Sequence, residues 1–273
     1  MLPKVIAQTN QNYLRISWGK HLVFKDSYKF LASSLSVLTE NLKNKGEHLF
    51  SNMKRIRKEK TNVLLCKSIF PYDWFDSESK MSFPRLPDKN DFYNKLHDTP
   101  VDDDSYNHAK FVWKLFNMKC FENFHDLYLQ NDVLLLSDIF ENFRKMCIDN
   151  FSLDPAHYIT LPSFAFDAML KVTDVKLELF SDIDKYLFCE KGIRGGICSI
   201  MHRYSKANNK YVSGYDSTQP SKYILYIDKN SLYPEAMLNP LPYRDFNWIN
   251  LDSVNFDKDT IMKLSPTDTF GFI

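Results

Sequence analysis

The alternation of apolar and polar residues near the N-terminus predicts short strands followed by a helix. Residues 13–30 alternate with the two-residue period of a half-buried strand, and Leu22-Val23-Phe24 is the clearest part of the pattern. Ser33 and Ser34 then precede leucines at the three- and four-residue spacing of a helix. Gly46 is expected to end this helix, because glycine adopts the backbone geometry of a helix terminus without strain.

Helical spacing dominates the middle of the chain. Prolines first break residues 68–105 into loops, and a short helix is predicted over residues 106–116. A long amphipathic helix is predicted over residues 123–150 and another helix over residues 163–172. The long helix places six large apolar residues on one side: Leu127, Leu134, Leu135, Ile139, Phe140 and Phe143.

Strand patterns return in the C-terminal part. A glycine-rich break at residues 191–196 is followed by strand-like segments at residues 197–204 and 223–228. Strands and helices therefore occur in mixed order along the chain. This order favours an α/β or α+β fold.

Composition indicates a soluble globular protein. The 273 residues suffice for one large or two modest domains, and 44% hydrophobic with 25% charged residues is ordinary for such a chain. Five cysteines without a Cys-x-x-Cys pair argue against a zinc site or a disulfide framework and favour a reducing compartment. Neither a membrane-spanning run nor a signal-peptide pattern is evident, so we expect an intracellular protein without a membrane partner.

Charge is balanced overall but locally uneven. The net charge of +1 gives no general basic field that would indicate a nucleic acid partner. Residues 54–60 nevertheless form a dense basic run, and Asp102-Asp103-Asp104 forms an acidic one. Each is expected to be a solvated loop, with contact to a phosphate backbone as the alternative for the basic run.

The most informative motif begins at residue 223. An apolar run rich in branched and aromatic residues ends on Asp228, and Ser231-Leu232-Tyr233-Pro234 follows after a tight polar segment. A carboxylate at the end of a buried strand, close to exposed backbone N–H groups, suits a magnesium–triphosphate site. The plain alternative is the end of a strand followed by a turn.

A second group of chemically suitable residues lies upstream. Asp26 follows the strand pattern at Leu22-Val23-Phe24, and Tyr128 and Asp132 lie one turn apart on the same face of the long helix. Two-metal phosphodiester hydrolysis needs carboxylates for the ions and a group that orients the attacking water. The alternative is a surface aspartate beside a half-buried tyrosine on an amphipathic helix.

Together these motifs resemble protein-primed family B DNA polymerases. Asp26, Tyr128-x-x-x-Asp132, Arg194-Gly195-Gly196 and Asp228-x-x-Ser231-Leu232-Tyr233-Pro234 occur in the order found in that family. The sequences of residues 128–158 and 190–196 are similar to the branch encoded by viruses, organellar plasmids and self-synthesising DNA transposons. The resemblance covers nearly the whole chain.

The resemblance implies two domains. Residues 1–188 would form a ribonuclease H-like 3′–5′ exonuclease domain that is truncated at its N-terminus. Residues 189–273 would form a linker and the beginning of a polymerase palm domain. The activities implied are template-directed nucleotidyl transfer and an associated exonuclease, both by two-metal chemistry.

The family also implies roles for the aspartates. Asp26 matches the second exonuclease motif, and Tyr128 with Asp132 matches the third, so all three would be catalytic. Asp228 would be a catalytic aspartate of the polymerase site. Asp26, Asp132 and Asp228 would then bind Mg²⁺, in a two-metal site that is incomplete in this chain.

Further residues would bind nucleotide or DNA. Ser231, Leu232 and Tyr233 match the nucleotide-binding segment, where the tyrosine would exclude a 2′-hydroxyl by its bulk. Arg194-Gly195-Gly196 would hold the primer strand, because backbone can approach phosphate closely where no side chain intervenes. Ser34-Leu35 fits a motif for single-stranded DNA and terminal protein, and it fits a helix N-cap with a core leucine equally well.

Three family motifs are missing from the sequence. No Asp-x-Glu precedes Asp26, and neither Lys-x-x-x-Asn-Ser-x-Tyr-Gly nor Asp-Thr-Asp follows Asp228. We therefore expect a fragment with little polymerase activity and impaired exonuclease activity. The alternatives are a catalytically inactive mobile-element remnant that binds DNA and a free-standing exonuclease.

The resemblance finally implies partners and a location. The partners would be primer–template DNA, a single-stranded 3′ end, deoxynucleotide triphosphates and a terminal protein that serves as primer. A nuclear or viral-replication-associated location is expected.

Overall fold

The chain forms a mixed α/β structure in two compact units. The structure is a computed structural model that describes residues 3–250 together with residues 259 and 263. The units are Met1–Asp174 and Val175–Ile273. The expected mixed class is confirmed, whereas the ribonuclease H-like and palm assignments, with a boundary near residue 188, stay predictions.

The first unit begins with a three-stranded antiparallel sheet. Its strands are β1 (Lys4–Ala7), β2 (Tyr13–Trp18) and β3 (Leu22–Lys25), in the order β1-β2-β3. Gly19 lies between β2 and β3 at φ +64°, a left-handed conformation that glycine adopts without strain. The strands predicted within residues 13–30 are thus confirmed.

Two helices follow the sheet. Helix α1 (Leu35–Lys45) begins where the Ser34 hydroxyl accepts a hydrogen bond from the Val37 N–H, and it ends at Gly46 as the sequence predicts. Gly46 has φ +145°, and a Cβ there would lie 2.6 Å from the His48 ring. Helix α2 (Ser51–Arg57) and 3₁₀ turns at Lys58–Lys60 and Asn62–Leu64 come next. The expected loop at residues 54–60 is therefore wrong, although its exposure is confirmed.

Three helices predicted from periodicity are confirmed. They are α3 (Asp103–Leu115), α4 (Phe121–Phe151) and α5 (Leu161–Thr173), each a few residues longer than its sequence pattern. The acidic run at residues 102–104 begins α3 and is not a loop. Its first member caps the helix and the other two lie in the first turn, where the helix dipole favours negative charge.

The core of the first unit packs around α4. Its large fully buried side chains include Phe50, Met53, Leu64, Phe121 and Leu135. Each side chain of this size stabilises the fold by about 1.5–3 kcal/mol through burial of apolar surface. Helix α4 is therefore fixed along most of its length, which makes it a firm base for functional side chains.

The second unit contains helices α6 (Ile183–Gly192) and α7 (Leu232–Met237) among its described residues. The strands predicted at residues 197–204 and 223–228 are wrong, because neither segment pairs with a strand in the described part of the chain. A strand needs a neighbour for its backbone groups and cover for its apolar faces. Tyr226 and Ile227 are instead 94% and 85% exposed.

Candidate functional site

A lysine, a tyrosine and an aspartate meet on one side of α4. Tyr128 and Asp132 project from the same face, one turn apart, as their spacing predicts. The Lys67 ammonium donates hydrogen bonds to the Tyr128 hydroxyl and to Oδ2 of Asp132. It also lies 4.2 Å from the centre of the Tyr128 ring, within the range of a cation–π contact.

The loop that carries Lys67 is anchored to α4. The Nδ2 of Asn131, which is fully buried, donates to the Cys66 carbonyl at 3.2 Å. The Phe70 ring lies 4.7 Å from the Tyr128 ring between centroids. The Tyr72 hydroxyl is hydrogen-bonded to the Tyr128 hydroxyl. Contacts on both sides of Lys67 therefore hold its ammonium against the two α4 side chains.

The Tyr128 phenol stays protonated at neutral pH. Burial raises its pKa above the ordinary value, and the hydrogen bond with Tyr72 and the negative charge of Asp132 raise the pKa further. Tyr128 can therefore orient water through hydrogen bonds, but it is not a general base. The half-exposed surroundings leave room for water, since Lys67 and Asp132 are 27% and 22% exposed in their side chains.

One carboxylate oxygen in this cluster has no hydrogen-bond partner among the described residues. Oδ1 of Asp132 is buried without a hydrogen bond to any described group, whereas Oδ2 is paired with Lys67. A buried, unsatisfied carboxylate oxygen suits a hard cation such as magnesium. Among residues 3–250, 259 and 263, no three His, Cys, Asp or Glu side chains are grouped to hold a metal. Asp132 therefore fits as one ligand, and a complete site is not assembled from the described residues.

Asp26 occupies a different local setting. Its side chain caps the 3₁₀ turn Ser27–Lys29 by accepting from the Tyr28 N–H at 3.0 Å. Within the described structure it makes no hydrogen bond or ion pair with Tyr128 or Asp132. Its metal-binding role stays a prediction. The neighbouring Lys25 donates to the carbonyls of Ala156 and Tyr158, which ties the end of β3 to the segment after α4.

Ser34 and Leu35 have clear structural roles. Ser34 is the N-cap of α1, and Leu35 is half-buried and packs against the main core. The alternative interpretation of this motif as a helix start is confirmed. Contact with single-stranded DNA or a terminal protein stays a prediction for both residues.

The predicted site residues of the second unit are exposed. Arg194, Gly195 and Gly196 lie in a segment without regular secondary structure, and a Cβ at either glycine would meet no atom within 4 Å. No packing in the described structure therefore requires glycine there. Asp228 ends the unpaired segment that the sequence predicts to be a buried strand.

The nucleotide-binding candidates surround the start of α7. Ser231 precedes this helix in a left-handed conformation, with φ +54°. Leu232 and Tyr233 occupy its first turn, and Tyr233 is 80% exposed. An ion pair of 2.9 Å joins Lys229 to Glu235 across the same turn. The roles of Asp228, Ser231, Leu232 and Tyr233 stay predictions.

Sequence patterns missed Lys67 and Tyr72. Tyr72 lies in the proline-broken region of residues 68–105 and Lys67 directly before it, where no period relates one residue to the next. Their partners on α4 are about 60 residues away in sequence, as expected for contacts that only folding brings together. A lysine flanked by the apolar stretches 63–65 and 69–70 is the only local signal.

Comparison with known families identifies the class of the protein. The sequence model for type B DNA polymerases of organelles and viruses matches residues 4–273. The chain therefore falls among the DNA polymerases, which are nucleotidyltransferases with DNA and deoxynucleotide substrates. It belongs to the family of DNA polymerase type B, organellar and viral.

Comparisons with individual proteins add no relative to this family assignment. No curated protein and no solved structure gives a significant match. Family B polymerases generally use Mg²⁺. No helix in the described part of the chain is long and apolar enough to cross a membrane.

Proposed function

We propose that the chain is the exonuclease–palm portion of a protein-primed DNA polymerase, and that Lys67, Tyr128 and Asp132 serve its 3′–5′ exonuclease. The observation that carries this proposal is the shared contact of the Lys67 ammonium with both α4 side chains. A cation, a protonated phenol and a carboxylate with one free oxygen are suited to phosphodiester hydrolysis.

The three side chains take different parts in this reaction. Water adds to the terminal phosphorus, the bond from phosphorus to the 3′-oxygen breaks, and that oxygen takes up a proton as the water loses one. Tyr128 orients the water through its hydroxyl, and the Lys67 ammonium stabilises the charge that develops on the phosphate oxygens. Asp132 holds Lys67 in place through Oδ2.

Asp132 also has a role toward magnesium. Its free Oδ1, with Asp26 as the second carboxylate, would hold the ion. Magnesium, when bound, supplies positive charge that makes water a stronger acid and neutralises the phosphate.

The second unit would supply the start of the polymerase site. Asp228 would bind magnesium, and Ser231, Leu232 and Tyr233 would hold the incoming deoxynucleotide. Arg194-Gly195-Gly196 and Ser34-Leu35 would contact the DNA strand, and a terminal protein would prime synthesis. The order of these motifs along the chain supports this part of the proposal.

Digestion of a labelled single strand tests the exonuclease. The 273-residue chain is incubated with magnesium and a 5′-labelled oligonucleotide, and shortening from the 3′ end is followed on a gel. We expect a slow ladder that disappears in Asp132→Ala and persists in Asp126→Ala. Asp126 is a matched control because it is an exposed aspartate on the same helix.

Two results would count against the exonuclease. Shortening that survives Asp132→Ala unchanged would remove Asp132 from the reaction. A chain that binds the oligonucleotide but never shortens it would instead support a DNA-binding remnant.

A further inference from the structure

The most concentrated positive charge lies on α2 and the turn that follows it. Five cations occupy seven consecutive positions, and Glu59 is the single acid among them. We call this surface the basic ridge, which consists of Lys54, Arg55, Arg57, Lys58 and Lys60. All of these except Arg57 are exposed.

The basic ridge is held rigidly by α4. The Asp138 carboxylate, which is fully buried, accepts from the backbone N–H groups of Asn52 at 2.8 Å and Met53 at 2.9 Å. At the other end of α2, Nη2 of Arg57 donates a hydrogen bond to Oε1 of Gln130 at 2.8 Å. Both ends of the short helix are therefore fixed, so the backbone that carries the cations is ordered before binding.

The ridge cations have no carboxylate partners in the described structure. None of them forms an ion pair with an acid in the described part of the chain. Elsewhere in the same unit basic residues do pair with acids, as in Lys89–Asp103, Arg144–Asp154 and Lys145–Asp149. The Nε of Arg57 is buried without a hydrogen-bond partner among the described groups.

This arrangement is unfavourable for the helix alone. Lys54, Arg55 and Lys58 carry like charges within five residues, and neighbouring like charges repel each other. An anionic partner would remove the repulsion.

Two of the five cations have contacts with other helices. Lys60 donates to the Leu115 carbonyl at 3.3 Å and lies 4.5 Å from the centre of the Phe116 ring, so it stabilises the end of α3. Arg57 is engaged with Gln130. Lys54, Arg55 and Lys58 are exposed at the last turn and the C-cap of α2. Of these, Arg55 makes one contact within its own helix, donating to Oδ1 of Asn52 at 3.4 Å.

We propose that the basic ridge binds the phosphodiester backbone of DNA through Lys54, Arg55 and Lys58. The inference rests on the proposed function only in taking DNA as the substrate. Lysine and arginine side chains on an exposed helix bind phosphates without reading sequence, and their contribution falls steeply with salt.

The basic ridge is separate from the catalytic cluster. Gln130 lies between Tyr128 and Asp132 in sequence, but at 100° per residue it points about 160° away from both. The ridge therefore anchors DNA on the opposite flank of α4 and does not touch the reacting phosphate. Its removal should weaken binding and leave the cleavage rate of bound DNA unchanged.

The test measures how DNA affinity depends on salt. Binding of a fluorescent single strand and of a duplex of the same length is followed by anisotropy in EDTA, between about 50 and 200 mM KCl. The affinity of the parent chain should fall as the salt concentration rises. In the triple variant Lys54→Gln, Arg55→Gln, Lys58→Gln the slope of log affinity against log salt should be less steep, by about 2 for the single strand and about 3 for the duplex.

Two further variants serve as controls for the loss of charge. Lys20→Gln, Lys95→Gln, Lys110→Gln removes the same charge from exposed positions elsewhere in the unit, and its slope should match the parent chain. Lys54→Arg, Arg55→Lys, Lys58→Arg keeps the charge and should also retain the slope.

An unchanged slope in the glutamine variant, or an equal loss in the Lys20, Lys95, Lys110 control, would overturn the proposal. So would a charge-retaining variant that binds no better than the glutamine variant. Binding in EDTA needs no cleavage, so the ridge and the exonuclease fail or succeed independently.

Discussion

At the scale of single residues, Lys67 is the centre of the candidate site. Its ammonium contacts the two α4 residues that the sequence singles out, and Tyr72 extends the network through the Tyr128 hydroxyl. The charge on Asp132 is thereby balanced by a side chain as well as by any bound ion. Chemistry at this site should depend on the lysine as strongly as on the aspartate.

Replacing Lys67 tests this dependence. Lys67→Ala should lower the rate of magnesium-dependent 3′ shortening by about 100-fold, because one charge that stabilises the reacting phosphate is lost. Lys67→Arg should recover part of the rate. Lys95→Ala, an exposed lysine outside the cluster, serves as the control, and a rate equal in all three variants would exclude the proposed role.

The protonated state of Tyr128 predicts a particular pH profile. Because its pKa is raised above the ordinary value of 10, the phenol keeps its proton throughout the neutral range. Tyr128→Phe should therefore lower the rate by a constant factor of about 100 between about pH 6 and 9, without changing the shape of the profile. A profile whose alkaline limb disappears in Tyr128→Phe would show that the phenol titrates in this range.

Part of this site can be predicted from the sequence. Tyr128 and Asp132 could be paired from the sequence because helical spacing fixes which residues share a face. Lys67 could not be joined to them from the sequence, since its loop has no period. Its position depends on contacts of neighbouring residues with α4, such as that of the Cys66 carbonyl with Asn131 and that of Phe70 with Tyr128.

At the scale of elements, α2 depends on a carboxylate that belongs to another helix. Asp138 of α4 accepts from two backbone N–H groups at the start of α2, where intrahelical partners are lacking. No local sequence signal of α2 itself marks this start, because Phe50 in the N-cap position makes no side-chain hydrogen bond. For this reason α2 is not predicted from the sequence. In contrast, α1 is predicted, because Ser34 and Gly46 mark its two ends.

Removing the Asp138 carboxylate should therefore destabilise the first unit. Asp138→Ala removes the acceptor of the buried Met53 N–H and the part-buried Asn52 N–H. We expect a loss of about 2–3 kcal/mol in the free energy of unfolding. Urea unfolding followed by circular dichroism measures the change. Asp149→Ala, at an exposed position of the same helix, should stay within about 0.5 kcal/mol of the parent. An equally small effect of Asp138→Ala would contradict the assignment.

At the scale of the whole molecule, the two units differ in how their apolar residues are used. The buried clusters centred on α4 and α5 belong to the first unit. In the described part of the second unit, apolar residues such as Ile197 and Tyr226 are almost fully exposed. The exposure of these residues could not be predicted from the sequence pattern. An apolar run shows that a segment could be buried, but it does not show whether a neighbouring strand is present to cover it.

Hydrogen exchange should report this difference directly. The backbone N–H groups of residues 194–207 and 223–230 donate to no described backbone carbonyl. Their amides should exchange at close to the rate of an unstructured chain, while those in the centre of α4 should be protected to the level of global unfolding. Mass spectrometry after brief labelling measures both, and strong protection at residues 223–230 would mean that this segment is paired in solution.

The contacts along α4 restrict which insertions and deletions related sequences can accept. The helix has 31 residues and runs for about 46 Å. Gln130, Asp132 and Asp138 each face a different partner from it. One inserted or deleted residue between Asp132 and Asp138 would turn the remainder of the helix by about 100°, so the lysine contact and the cap of α2 could not both survive. Relatives that keep both should therefore tolerate substitutions in this stretch but no change in its length, and insertions should collect in the loops of residues 68–102.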